Sequence, residues 1–351
     1  MEIELSLPEP DPAEQDREVI ETLINDSKYT SFAAKYLREH KSEIDQLIKM
    51  KTKFGNTWKD VVKTGLRVPN SKVGFYATDA DCYDVFGDPL KYVVHSHNMR
   101  DADPNAIPQR VVGGDQLSLQ VSDACKERII SARCRFARNL TNYVFPTSIS
   151  PKDRVAAEAE LKAALDKLTG DLAGTYTKMG DLSQEEQDKM VENHQLFHNK
   201  DEFLVKGDFY DDWPNGRGQF HNNDGTVMVW VGEEDHIRCM SLEKGSDISS
   251  CYNKATKMLE HLDKHVGLAH HKDFGWLTSC PTNVGTGMRA SVHISLPRIK
   301  ANMPISELKD ICKKNNLDIR GTGGENTGFA GVVFDVSNRR RFDVALSRCH
   351  Y

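Results

Sequence analysis

Arginines recur at alternate positions in two short apolar segments. In Ile130–Phe136, Ser131, Arg133 and Arg135 share one face, and Ile130, Ala132, Cys134 and Phe136 share the other. In Arg289–Leu296, Arg289, Ser291, His293 and Ser295 oppose Ala290, Val292, Ile294 and Leu296. Period two marks a strand with one face packed and the other open. A guanidinium is always charged and forks onto phosphate oxygens, so several on one sheet face could hold a polyphosphate. They would do so without a P-loop, since neither GxxxxGK[ST] nor a GxGxxG after a strand occurs. For any one pair taken alone, a solvated strand face is the commoner explanation.

Other residue types could add chemistry. Cys280 sits in Ser279-Cys280-Pro281-Thr282-Asn283, where hydroxyls and nearby arginines would draw a thiol toward thiolate. A small buried thiol is the blander alternative. Glu233-Glu234-Asp235 ends a Val/Trp-rich segment, and alone it reads best as a solvated turn. Glu325 lies in a glycine-rich run, Arg320-Gly321-Thr322-Gly323-Gly324-Glu325-Asn326-Thr327-Gly328, of a kind that can approach a ligand closely. His261 and His265 stand four apart near a helix end, with no HExxH, and no metal site is expected of them.

The elements that must position these groups are legible in outline. Residues 1–26 carry nine acids against one base and include Pro8, Pro10 and Pro12, which reads as an acidic flexible arm. Residues 27–100 read as a small helical domain, with Phe32, Tyr36 and Leu37 on one face. Ser42 with Asp45, and Asn56 before Trp58, are expected caps, and Gly65 an expected stop. Residues 101–117, rich in Asp, Asn and Pro, are the expected linker, and 118–351 the catalytic domain. There Ser150-Pro151, the Ser183/Glu186 box and the apolar spacing from Ile248 to Leu262 predict helices. Val227–Glu234 alternates like a strand, and Asp224-Gly225 marks a hairpin, so the sheet should be mainly antiparallel. The expected class is α+β: a small all-α N-terminal domain, then a mainly antiparallel β-sheet catalytic domain flanked by helices.

Composition narrows the function classes. The net charge of −6 resides in the first 26 residues, which carry −8, so the rest is +2. That balance argues against nucleic acid as a partner. No apolar run is long enough to span a membrane, and the acidic start lacks a signal-like apolar stretch. Eight cysteines without a CxxC pair then fit free thiols in a reducing, cytoplasmic setting.

Taken together the motifs resemble one family. The run Thr278-Ser279-Cys280-Pro281-Thr282-Asn283-Val284-Gly285-Thr286-Gly287-Met288-Arg289-Ala290-Ser291-Val292-His293-Ile294 is similar to the signature of the phosphagen (ATP:guanidino) kinases. Trp230–Arg238, Trp213–Gly218 and Phe334–Asn338 resemble further blocks of that family. Cys280-Pro281-Thr282, Glu325 and Lys72-Val73-Gly74-Phe75-Tyr76 resemble arginine kinases. Gly285-Thr286-Gly287 and Gly321–Gly324 resemble creatine kinases.

The resemblance implies reversible transfer of the ATP γ-phosphoryl group to a guanidino nitrogen. It implies a phosphate clamp of Arg133, Arg135, Arg238, Arg289 and Arg320 with His293 nearby. Glu234 and Glu325 would hold the guanidinium, Cys280 would contact it, and Ser71, Lys72, Val73, Gly74, Phe75 and Tyr76 would read substrate size. ATP/ADP and Mg²⁺, the latter held largely by phosphate oxygens and waters, are the implied cofactors. L-arginine is the first expected acceptor and taurocyamine its main competitor. A protein-arginine kinase, which lacks the helical N-terminal domain, and an inactive nucleotide-binding relative are the rival readings. No obligate protein partner is expected.

Overall fold

The computed structural model describes residues 12–98, 118, 120–322 and 331–341. Six helices build the N-terminal part: α1 (Pro12–Asn25), α2 (Phe32–Glu39), α3 (Ile44–Leu47), α4 (Trp58–Arg67), α5 (Cys82–Val85) and α6 (Gly87–Asn98). The expected arm is therefore a helix from residue 12. Val19, Ile20 and Leu23 of α1 are buried with Phe32, Leu37, Trp58 and Phe86, so apolar burial outweighs the acidic composition. Asp16 is also buried, accepting from Thr57 Oγ1 and the Lys59 amide.

The capping expectations divide. Thr57 rather than Asn56 caps α4, in a reciprocal box with Asp60. Asn56 instead donates to Asp79. Ser42 and Asp45 do not cap α3, which follows directly on a 3₁₀ turn at Lys41–Glu43. Gly65 does not stop α4, which runs on to Arg67. A Cβ at Gly65 would lie 2.6 Å from the carbonyl oxygen of Gly74, and one at Gly74 would strike Ser31 at 2.4 Å. Gly74 also has φ +67°, in the left-handed region. These two glycines let the 71–76 loop lie flat on α4. Gly65→Ala is accordingly expected to lose about 1–3 kcal/mol in urea unfolding, the scale for overpacking, although alanine favours helix. Unchanged stability would contradict the close approach.

The catalytic part opens with α7 (Asp123–Lys126) and β1 (Ile129–Arg138). Then come α8 (Pro151–Leu165), β2 (Gly174–Lys178), α9 (Gln184–Glu192), α10 (Glu202–Lys206), β3 (Gly218–Asn222), β4 (Val227–Val231) and β5 (Ile237–Lys244). The remainder is α11 (Ile248–Val266), β6 (His270–His271), β7 (Gly275–Trp276), β8 (Met288–Ser295), α12 (Pro297–Asn302), α13 (Ile305–Lys314), β9 (Leu317–Arg320) and β10 (Val333–Asn338). Ser150 caps α8 with Pro151 next, and Ser183 with Glu186 boxes α9, as expected. Eight strands form one sheet in the order β2-β3-β4-β5-β1-β8-β10-β9, and every pairing is antiparallel. The expected fold class is the observed one.

One face of this sheet buries Ala132, Cys134, Phe136, Val229 and Ala290 against Leu161 of α8 and Cys251, Ala255, Met258 and Leu262 of α11. His261 on α11 bonds the Ala164 carbonyl, which ties α11 to α8. Ile130, expected on the packed face, is 51% exposed, because the β1–β8 register shifts between Ile129 and Ser131. The helical core extends into the catalytic part through Phe145, Phe274, Leu277 and Val284. Tyr83 donates to the Thr278 carbonyl (2.6 Å), and the Ala77 amide to that of Ser279 (2.8 Å). The N-terminal helices thus brace the segment that leads into Cys280. No helix among the described residues is long and apolar enough to cross a membrane.

Candidate active site

Antiparallel register gathers the expected arginines on the face that α8 and α11 leave open. Arg135 pairs with Arg289 on β8 and with Met240 on β5. Arg133 pairs with Ser291, and Ser131 with His293. His293 faces Asp335 of β10, which in turn faces Arg320 of β9. Arg238 stands on the Met240 face of β5, opposite Trp230 of β4. Arg289 pairs with the Asp335 carboxylate at 2.8 Å and Arg238 with that of Glu233 at 2.6 Å. Arg133 Nη2 lies 2.9 Å from Met240 Sδ.

This is a crowded cationic cluster. Burial, then the neighbouring Arg289, pushes the Arg133 guanidinium down to about 10. Burial, then Arg238, Arg133, Arg341 and Arg289, pushes Arg135 well below its ordinary range. Burial acts on Arg238 in the same sense, but Glu233, Glu234 and Asp235 together outweigh it and raise this group. Several desolvated cations in each other's field are what a bound polyanion would stabilise.

A cavity of about 510 Å³ opens beside the cluster. Arg135, Arg238 and Arg320 reach it from the sheet, Glu234 and Cys280 from loops, and Val73 and Tyr76 from the N-terminal part. Arg133, Arg289 and His293 lie outside its lining, farther along the same sheet face. Glu325 lies outside the described residues.

The acidic turn is not the solvated one expected. Glu233 and Asp235 are 7% and 1% exposed. Asp235 Oδ1 accepts from Asn139 Nδ2 and from the Ser279 amide, both at 2.6 Å. Asn139 Oδ1 in turn accepts from the His236 amide. One buried carboxylate therefore locks the β4–β5 turn to the segment before Cys280. Glu234 Oε1 accepts from Asn283 Nδ2 (3.0 Å), and Oε2 has no donor among the described residues. Burial raises the Glu234 carboxyl; Arg238 opposes this, while Asp235 and Glu233 reinforce it.

Cys280 departs from expectation. Burial, then the Glu234 carboxylate, pushes its thiol up to about 12; the Thr282 hydroxyl and amide lower it by less. The thiol shares a hydrogen bond with Thr282 Oγ1 (3.1 Å) and packs with Tyr76, Leu204 and Phe209. Its surroundings thus favour the thiol over the thiolate.

The 71–76 loop contributes less than its six residues imply. The Phe75 side chain is fully buried in the helical core, edge-on to Trp58. The amides of Ser71, Gly74 and Tyr76 are taken by the Val68 carbonyl, Ser71 Oγ and the Val61 carbonyl. The Lys72 and Val73 carbonyls accept from Phe32 and Ala33, which staples the loop to α2. Val73 and Tyr76 are the side chains that reach the cavity.

Asn283, Arg341 and Tyr210 are among the lining groups not singled out from the sequence. Arg341 donates to Asn283 Oδ1, so Asn283 bridges a guanidinium and Glu234. Thr286 holds the Arg341 carbonyl through its amide and hydroxyl. Asn283 lay within the signature run, so only its role was hidden.

Comparison with known proteins adds independent findings. The profile described as ATP:guanido phosphotransferase, C-terminal catalytic domain, matches residues 156–345, and that of the N-terminal domain matches residues 27–95. Arginine kinase Oct f 2 of Amphioctopus fangsiao is 37% identical over 326 residues, 92% of this chain and 91% of that protein. Arginine kinase of Liolophura japonica is 38% identical over 314 residues, 88% of each chain. Among solved structures, the substrate-free duplicated taurocyamine kinase from Schistosoma mansoni matches 93% of this chain with a TM-score of 0.83 and 31% identity. The chain spans 46% of that duplicated protein. A lombricine kinase matches 90% of this chain and 86% of its own with a TM-score of 0.79 and 27% identity.

Proposed function

Because the chain belongs to the ATP:guanido phosphotransferase family, we propose that it reversibly transfers the γ-phosphoryl group of ATP to the guanidino nitrogen of a small acceptor. L-arginine is the preferred acceptor, giving phosphoarginine and ADP. The observation that carries this reading is one cavity with guanidinium groups on one wall, Arg238 buried and Arg135 and Arg320 half-buried, and a half-buried, singly bonded carboxyl, Glu234, on another. The first wall suits phosphates and the second suits a cationic acceptor.

Arg133, Arg135, Arg238, Arg289 and Arg320 receive the phosphates, with His293 beside them. Phosphoryl transfer needs mostly positioning and charge stabilisation, which preorganised guanidinium groups supply. Mg²⁺ would be held largely by the nucleotide's phosphate oxygens and by water, and would supply charge neutralisation on the phosphates beside these arginines. Glu234 orients the guanidinium and takes up the proton it must lose before its nitrogen can attack. Glu325 is the second carboxylate of this reading. Cys280 and Tyr76 close the far side of the pocket, and Asn283 fixes the Glu234 carboxyl.

Glu234 gives the acceptor step a pH signature. Its pKa is raised in the free protein, and a guanidinium binds the ionised form. The acceptor KM is therefore expected to fall as pH rises, and to level off once Glu234 ionises without ligand. Glu234→Gln should abolish the trend. An acceptor KM that rises with pH in the native protein would contradict this assignment.

Taurocyamine is the second reading, favoured by the likeness to the Schistosoma protein. Initial rates with arginine, taurocyamine, glycocyamine, creatine and lombricine under Mg-ATP separate the two. The highest kcat/KM is expected with arginine. A higher value with taurocyamine would replace the acceptor and leave phosphotransfer standing.

A further inference from the structure

The loop after α10 is tied to one buried side chain. Arg217, fully buried, donates to the carbonyls of Phe209 (2.7 Å), Asp211 (3.0 Å) and Asn215 (2.8 Å). Arg154 from α8 adds a second donor to the Phe209 carbonyl (2.9 Å). At the near end, Asp208 is paired with Lys63 (3.1 Å) and Arg67 of α4, so the loop is also pinned to the N-terminal part. Through their terminal nitrogens, these buried guanidinium groups tie successive backbone carbonyls together and so fix the loop's conformation.

What this strapping presents to the cavity is Tyr210. Its ring packs with the cluster of Tyr76, Leu204, Phe209 and Cys280 and meets Trp213 edge-on at 5.5 Å. Phe209, one residue before, sits edge-on to Tyr76 at 5.0 Å. The Tyr210 hydroxyl has no hydrogen-bond partner among the described residues, although Glu233, Asp201, Arg238 and Glu234 all lie within its electrostatic reach. A phenol held this firmly in a ligand cavity, with its polar end unused by the protein, is arranged for a ligand.

We propose that Tyr210 is a specificity-determining residue, the catalytic-domain wall that limits which guanidino compound the pocket admits. The inference rests on the phosphotransfer reading above. Val73 and Tyr76 bound the pocket from the N-terminal loop, and Tyr210 bounds it from the strapped loop. The ring limits the room for the acceptor's chain, and the hydroxyl bonds the acceptor's polar groups.

The test compares kcat/KM for arginine and for the shorter glycocyamine in the native protein, Tyr210→Ala and Tyr210→Phe, under saturating Mg-ATP. Tyr210→Ala should shift the ratio toward arginine by about tenfold or more, the scale on which a pocket senses chain length. Tyr210→Phe keeps the ring and the packing. It should keep the ratio while lowering kcat/KM for the preferred acceptor by about fivefold or more, the scale of one lost hydrogen bond, with the KM for Mg-ATP unchanged. An equal loss with both acceptors in Tyr210→Ala, together with an unaltered Tyr210→Phe, would overturn the proposal. Failure of the native protein to phosphorylate any of the five guanidino compounds named above would overturn the phosphotransfer reading, and this proposal with it.

Discussion

Arg135→Ala is expected to lower kcat by about 10²- to 10³-fold, the scale for removing one preorganised donor from a charge-developing centre. Arg135 is singled out because it belongs to both parts of the site. It pairs across the sheet with Arg289 and also lines the cavity with Glu234 and Arg238. Its guanidinium is held well below its ordinary range by burial and by four other arginines, an electrostatic cost that a bound polyphosphate would relieve. The packed face of β1 stays intact in the variant, because Ala132, Cys134 and Phe136 point the other way. Arg135→Lys should recover only part of the loss, since an ammonium cannot fork onto two oxygens. Steady-state kinetics with varied Mg-ATP, beside a thermal melt, check this. A kcat within threefold of the native protein would remove Arg135 from the clamp.

Glu234→Gln carries the second large effect. The substitution keeps shape and leaves Asn283 a carbonyl oxygen to bond, but removes the charge that attracts a guanidinium. If Glu234 takes the proton, kcat should fall by about 10²- to 10⁴-fold, and the acid limb of the pH profile should vanish. If Glu234 only aligns the acceptor, the loss should fall mostly on KM. Because burial holds this carboxyl high in the free protein, the native acid limb should lie above the ordinary carboxylate range. An acid limb at an ordinary carboxylate value would assign the base elsewhere.

Legibility from sequence followed the range of the interactions involved. The alternation in Ile130–Phe136 and Arg289–Leu296 exposed the arginine face, because strand period is local and the two segments are adjacent strands. The boxes at Ser150 and Ser183 were local too. The acidic turn misled, because its burial depends on Asn139 and on the Ser279 amide, far apart in the chain. Cys280 misled for the same reason: flanking hydroxyls are visible in sequence, but burial and the Glu234 carboxylate are tertiary. Gly65 looked like a helix stop, since nothing local reveals that Gly74 lies against it. The acidic composition of the first residues hid the apolar stripe of Val19, Ile20 and Leu23. Tyr210 carries no periodic or motif signal, and its place is set by Arg217 and Arg154.

The central claim is phosphoryl transfer from ATP to a guanidino nitrogen in the cavity between Arg135 and Glu234. Phosphorus-31 NMR of the native protein with Mg-ATP and arginine tests it most directly. The account predicts that the γ-phosphoryl resonance declines as ADP and an N-phosphorylated guanidine grow in equal amounts, and that excess ADP reverses the exchange. ADP accompanied only by inorganic phosphate, with no N-phosphorylated product from any guanidino compound tried, would contradict it.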